Sequence, residues 1–82
     1  MSDRPDQLLD ASGLNCPLPL LKAKQALNRL QPGQVLKVIA TDAGSVRDFQ
    51  AFTDQSDHEL LESFRDAERF IYVIRRGLKT RA

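Results

Sequence analysis

The sequence predicts an α/β (α+β) fold, a two-layer sandwich in the order βαβαββ, with two helices on one face of a four-stranded mixed sheet. Three observations point to it. Two windows, 17–30 and 45–55, space their apolar residues as helices do. A β-branched, alternating run at 35–41 lies between them. Two further alternating runs, at 58–65 and 69–76, flank the four-residue turn Asp66-Ala-Glu-Arg69 and close the chain as a hairpin. A strand-helix-strand unit with parallel strands crosses over right-handedly in nearly all cases, so both helices are expected to cover the same face.

Each element has a local cause. Residues 7–11 form a short apolar-containing run punctuated by Ser12-Gly13, read as an edge strand. In the first helix Leu20, Ala23, Leu27 and Leu30 make one apolar stripe, with Lys22, Lys24, Gln25, Asn28 and Arg29 elsewhere on the wheel. Gln31-Pro-Gly-Gln34 ends it, because proline cannot continue the ladder and glycine permits a turn. Leu36, Val38 and Ala40 alternate with Val35, Lys37 and Ile39, as expected of a central strand. Asp42 or Ser45 is the expected cap of the second helix, whose stripe is Val46, Phe49 and Phe52 or Thr53. Leu60 and Phe64 are placed on one side of the third strand, Ile71 and Val73 on one side of the fourth. The whole chain, 1–82, reads as a single domain with an ordered core at about 7–77 and a polar tail, 78–82, that frays.

Composition narrows the function. Twelve basic and 11 acidic residues leave a formal charge of +1, which gives no global attraction to nucleic acid. DNA is not an expected partner. The basic residues Arg75, Arg76, Lys79 and Arg81 read as a solvated strand end and tail, and direct RNA binding is not expected. The opening MSDRPDQ holds no apolar targeting stretch and no run has bilayer length, so a cytoplasmic chain without membrane insertion is expected. One cysteine and one histidine fall short of a structural zinc site, and no metal or cofactor is expected. A chain of 82 residues also leaves little room for a deep cavity.

The one cysteine, Cys16, is therefore either inert packing or a lone reactive group. Free cysteine is among the most buried residue types. Here, however, Cys16 precedes the apolar stripe without joining it, and Gly13, Pro17 and Pro19 surround it. With Cys16 at the N-cap and Pro17 at N1, each proline restriction is met; alternatively the helix begins at Pro19 with Leu18 as its cap. Either way the sulfur lies near a helix start, where partial positive charge favours thiolate, and the thiol is expected to titrate below a free one. Pro17 and Pro19 remove two first-turn donors, leaving chiefly the N–H groups of Leu18 and Leu20 to face the sulfur. His58 reads as a solvated residue at a strand start, without a catalytic role.

The run Leu9-Asp-Ala-Ser-Gly-Leu-Asn-Cys-Pro-Leu-Pro19 resembles the signature of the TusA/SirA-like sulfur-carrier family, a Cys-Pro-x-Pro at the start of the first helix. Gln31-Pro-Gly33, Asp42 with Arg47-Asp48, His58-Glu-Leu60 and Tyr72-Val-Ile-Arg-Arg-Gly77 are similar to later landmarks of that family, so the resemblance covers nearly the whole chain. It implies the same βαβαββ fold. It also implies that Cys16 is the nucleophile that accepts sulfur as a persulfide, in a sulfurtransferase-type carrier rather than a stand-alone turnover enzyme. Implied partners are a protein donor, a cysteine desulfurase or rhodanese-like protein, and a protein acceptor. The lack of a second cysteine suits a carrier, since a resolving thiol would collapse the persulfide. Asp10 and Gly13 match the family pattern, with Pro17 and Pro19, as residues that shape the loop presenting Cys16. Members serving transfer-RNA thiolation carry an acidic residue between the prolines and often a basic one before the cysteine, where this chain has Leu18 and Asn15. Leu18 is then either an exposed partner contact or the first core residue of the helix. The alternatives to a carrier are a non-catalytic regulatory or interaction module and a thiol redox sensor.

Overall fold

In the computed structural model, which describes residues 5–78, the chain runs β1 (Gln7–Ala11), α1 (Leu18–Arg29), β2 (Val35–Ala40), α2 (Gly44–Asp54), β3 (Glu59–Asp66) and β4 (Arg69–Arg75). The sheet order is β1-β2-β4-β3. β1 lies parallel to β2, and β4 runs antiparallel to both β2 and β3, so the sheet is mixed. β1 is an edge strand and β2 a central one. The tail residues 79–82, with Lys79 and Arg81, lie outside the described residues.

The two helices share one face and touch each other. Beneath them the strands contribute Ala11, Leu36, Val38, Ala40, Tyr72 and Ile74, and the helices Ala23, Ala26, Leu27 and Phe49. The strict alternation of β2, with Leu36, Val38 and Ala40 fully buried, follows from the two-residue period of a strand covered on one side. At the centre Phe49 of α2 stacks on Tyr72 of β4, ring centroids 4.4 Å apart and planes 1° from parallel. The Tyr72 hydroxyl lies 2.7 Å from Ser45 Oγ, whose proton is donated to the Asp42 carbonyl at 2.7 Å. A hydroxyl has one proton, so the Tyr72 O–H must be the donor to Ser45. Ser45 is thus a buried link between sheet and helix, and neither it nor Asp42 caps α2 with its side chain.

The helix stripes differ from the sequence expectation by a few residues. In α1 the buried set is Pro19, Ala23, Ala26 and Leu27, with Leu20 and Leu30 half-buried at its margin. In α2 it is Ser45, Phe49 and Thr53, while Val46 is exposed. Thr53 is accommodated because its hydroxyl donates back to the Phe49 carbonyl at 3.0 Å.

Leu60 and Phe64 do not share a face. A register shift between Leu60 and Glu62 inserts Leu61 as a bulge. Leu60 pairs with Ile74 on the helix side, whereas Phe64 pairs with Ile71 on the open side. On that open side Ile71 is nevertheless buried, between Ile39 and Phe64 in the cross-strand row. The hairpin turn places Ala67 at φ 59, and Arg65 Nε donates to its carbonyl at 2.9 Å.

Two residues read as solvated are buried. His58 is 3% exposed, and its Nδ1 accepts the Gly77 N–H at 2.9 Å. Its ring also tilts against Phe52. Arg76 is 8% exposed: its Nε donates to the Leu27 carbonyl at 2.9 Å and its Nη1 to the Gly77 carbonyl at 3.2 Å. Arg76 therefore places a cation among the last carbonyls of α1, where the helix end favours it. Gly77 packs so closely on Asp57 that a Cβ there would fall 2.6 Å from the Asp57 carbonyl oxygen. Arg75 remains outside, paired with Glu59.

Two stability predictions follow from these contacts. Burial, with a smaller push from Arg76 and against a pull from Asp57, holds the His58 imidazole below its ordinary value of 6.5. The unfolded chain then takes up the proton first, so stability is full above pH 6.5 and is lost as the pH falls from there towards the folded value. The melting temperature is expected to fall as the pH drops from about 7 to about 5, and His58→Asn, which keeps an acceptor for Gly77, is expected to flatten that slope. Tyr72→Phe removes the donor to Ser45 and is expected to cost about 1 kcal/mol, read as a fall of about 4–8 °C in melting temperature.

Candidate functional site

The loop between β1 and α1 is shaped by three hydrogen bonds, two back to the end of β1 and one to the residue after β2. Asp10 Oδ1 accepts the Ser12 N–H at 3.0 Å, and the bonds from Ser12, side chain first and backbone second, hold the Asp10 carboxyl below its usual range. Gly13 takes φ 81, a conformation open to glycine, and its N–H donates to Thr41 Oγ1 at 2.8 Å. Leu14 N–H then returns to the Ala11 carbonyl. The loop is thereby tied to the end of β2, and it carries Cys16 to the surface as a free, exposed thiol.

The helix start differs from both arrangements read from the sequence. Pro17, not Cys16 or Leu18, is the N-cap of α1, with Leu18 at N1 and Pro19 at N2, and the Cys16-Pro17 peptide is cis. The Leu18 N–H does not face the sulfur: it donates to the Asn15 carbonyl at 2.8 Å, closing a turn around the cysteine. Pro19 is buried and anchors the first turn in the core. Leu18 itself is 45% exposed, and Leu21, three residues along the same helix face, is 46% exposed.

The other half of the site comes from α2 and the turn before it. The Cys16 N–H donates to Asp42 Oδ2 at 3.3 Å, and Cys16 Sγ donates to Asp48 Oδ2 at 2.6 Å. Gly44 opens α2 against the cysteine so closely that a Cβ on it would meet Asp42 Oδ2 at 2.9 Å and Cys16 Cβ at 3.4 Å. Glycine is the residue that leaves room for that approach. Sequence reasoning placed Cys16, Pro17, Leu18 and Pro19 at this spot but missed Asp42, Gly44 and Asp48 as its neighbours. The signal for Asp42 and Asp48 was their place, with Arg47, in the family resemblance, and Gly44 had none there.

These neighbours reverse the expected electrostatics. The hydrogen bond to Asp48 is the largest influence on the thiol, followed by desolvation and by the negative charges of Asp48 and Asp42. All raise it above the ordinary thiol range, and Arg47 alone opposes them. The expectation of a thiol titrating below a free one is therefore overturned. Two carboxylates outweigh a helix end whose first N–H is engaged elsewhere. Among the described residues no three His, Cys, Asp or Glu side chains converge to hold a metal ion, and no helix is long and apolar enough to cross a membrane.

Comparison with known proteins identifies the family. The family described as Sulfurtransferase TusA matches residues 7–76. The sulfur carrier protein TusA of Allochromatium vinosum is 58% identical over 72 residues, covering 88% of this chain and 95% of the relative. The sulfur carrier protein TusA of Pseudomonas putida is 47% identical over 72 residues, covering 88% and 90%. The crystal structure of a SirA-like protein from Desulfitobacterium hafniense superposes with a TM-score of 0.75 at 27% identity, covering 87% of this chain and 97% of that one. A family match that runs from the first strand to the last, with relatives of this identity and a shared mixed-sheet fold, places the chain in the TusA family.

Proposed function

We propose that this protein is a cytoplasmic, single-domain sulfur carrier that holds sulfane sulfur as a persulfide on Cys16 between a protein donor and a protein acceptor. The observation that carries the reading is an exposed, unpaired Cys16 presented by the family's Cys-Pro-x-Pro loop. Asp10, Gly13, Pro17 and Pro19 shape that loop. The donor is a cysteine desulfurase or rhodanese-like protein.

Loading is a sulfur exchange of the thiol–disulfide kind. The Cys16 sulfur attacks the outer sulfur of the donor persulfide, a new S–S bond forms on Cys16, and the donor's S–S bond breaks. The bonding pair leaves with the donor's inner sulfur, which takes up the proton surrendered by Cys16. No net oxidation occurs, so no cofactor is called for. Delivery to the acceptor repeats the exchange in the opposite direction. A site open to solvent suits this work, because both partners must reach the same sulfur in turn. Leu18 and Leu21 offer them an apolar face on α1, and a shallow hollow along α2, lined in part by Ala43, Val46 and Ala51, adjoins Gly44. A thiol redox sensor fits less well, since sensing cysteines are low-pKa thiols and this one is pushed up.

Two variants test the reading. Cys16→Ser is expected to abolish the gain of one sulfur, about 32 Da by intact mass after incubation with a cysteine desulfurase and cysteine, with little change in melting temperature at an exposed site. A sulfur adduct retained by the serine variant would defeat the assignment. Leu18→Glu, at a half-exposed position in the first turn of α1, is expected to change stability by no more than about 0.5 kcal/mol. Its sulfur delivery to the native acceptor is expected to slow markedly, whereas a collapse in thermal stability would make Leu18 a core residue and end its role as a contact.

A further inference from the structure

Among the described residues the Asp48 side chain hydrogen-bonds to the cysteine. Its carboxylate projects from α2, next to the buried Phe49, onto the sulfur of Cys16 at 2.6 Å. Asp42 is already engaged by the Cys16 backbone N–H, so it fixes the loop rather than the proton. We infer that Asp48 is a catalytic residue that holds the Cys16 proton: its carboxylate accepts the thiol's hydrogen bond in the resting carrier and takes the proton up as sulfur is transferred.

The charged groups that act on the sulfur are few. Asp48 and Asp42 favour the protonated form, Arg47 opposes them, and α1 brings no acidic residue in its first turn. A thiol held in this way is a poor target for small electrophiles and oxidants, since thiolate is the reactive species. A donor persulfide anion changes the situation. As its outer sulfur bonds to Cys16 Sγ, the S–H proton passes to Asp48 and from there to the donor's departing inner sulfur. The sum is a thiol plus a persulfide anion giving a persulfide anion on Cys16 plus the donor's thiol, balanced in charge and protons. In delivery the path reverses, and Asp48 returns a proton to Cys16 as its sulfur leaves.

The chemistry of transfer rests on the carrier reading, but the hold on the proton does not, and the experiment separates the two. The pH dependence of Cys16 alkylation by iodoacetamide is measured for the full chain and for Asp48→Asn, Asp48→Glu and Asp42→Asn, each checked by thermal melting. Asp48→Asn is expected to move the alkylation midpoint down by about one pH unit, an increase of about tenfold in thiolate at neutral pH. Asp48→Glu is expected to restore the wild-type midpoint, and Asp42→Asn to move it less than Asp48→Asn. Should Asp48→Asn lose its cooperative melt, Asp48→Ser carries the same comparison. An unmoved midpoint overturns the inference. Persulfide loading from a cysteine desulfurase is then followed by intact mass at pH 7. Slower loading of Asp48→Asn despite its larger thiolate fraction supports the proton relay, and loading as fast as wild type overturns it. If the wild-type chain gains no sulfur at all while the midpoint still moves, the carrier reading falls and the hold of Asp48 on the thiol proton stands.

Discussion

The stack of Phe49 on Tyr72 is the contact on which the site depends. It joins α2 to the central antiparallel pair of the sheet, and the Tyr72 hydroxyl extends the join through Ser45 to the Asp42 carbonyl. Three groups at the site hang from that one anchor. Asp42 receives the Cys16 N–H from the turn before α2, and within the first turns of the helix that the stack holds down Gly44 allows the cysteine to approach and Asp48 meets the sulfur. Aromatic pairs of this kind contribute about 0.5–1.5 kcal/mol beyond the area they bury. The larger consequence here is positional, because a rotation of α2 about its own axis would carry Asp48 away from the thiol.

The opposite end of the helical layer is sealed by different means. Arg76 reaches under α1 to the Leu27 carbonyl, and His58 receives the Gly77 N–H beside the close contact of Gly77 with Asp57. These groups are polar yet buried, and Arg76 donates to the backbone carbonyls of Leu27 and Gly77, which satisfy a guanidinium without a second buried charge. The molecule thus fixes the two ends of its helices by contrasting chemistry: backbone-bonded cationic and imidazole groups at the closed end, carboxylates around an open cysteine at the other. A thiol at the open end is exposed to solvent without being strongly activated, which separates access from reactivity.

What could be read from the sequence follows from how local each signal is. The period of two in Leu36, Val38 and Ala40 and the break at Gln31-Pro-Gly-Gln34 depend on neighbours in the chain, and the structure keeps both, Gly33 taking φ 87. The loop around Gly13 was legible for the same reason. Leu61 was not, because a bulge is a property of the pairing with β4 and leaves no mark on one strand alone. His58 and Arg76 looked solvated because their partners, the backbone of Gly77 and Leu27, lie 19 and 49 residues away. Asp48 was legible only as one of several recurring residues, since its 32-residue separation from Cys16 is closed by the fold rather than by the chain.

The same distinction explains why the charge state of the thiol was misjudged. A helix start is a local feature, and from it a stabilised thiolate follows in the absence of anything else. The fold changes both terms. It engages the Leu18 N–H in a turn with Asn15, which weakens the positive end, and it brings in Asp48 from the other helix and Asp42 from the turn before it, which adds negative charge at short range. A direct hydrogen bond to a carboxylate outweighs a fractional charge spread over a helix terminus, because the first is a full charge at contact distance and the second about half of one. The hold on the thiol proton is thus a product of the tertiary fold, which brings Asp48 to the sulfur across 32 residues, and not of the residues that flank Cys16 in the chain.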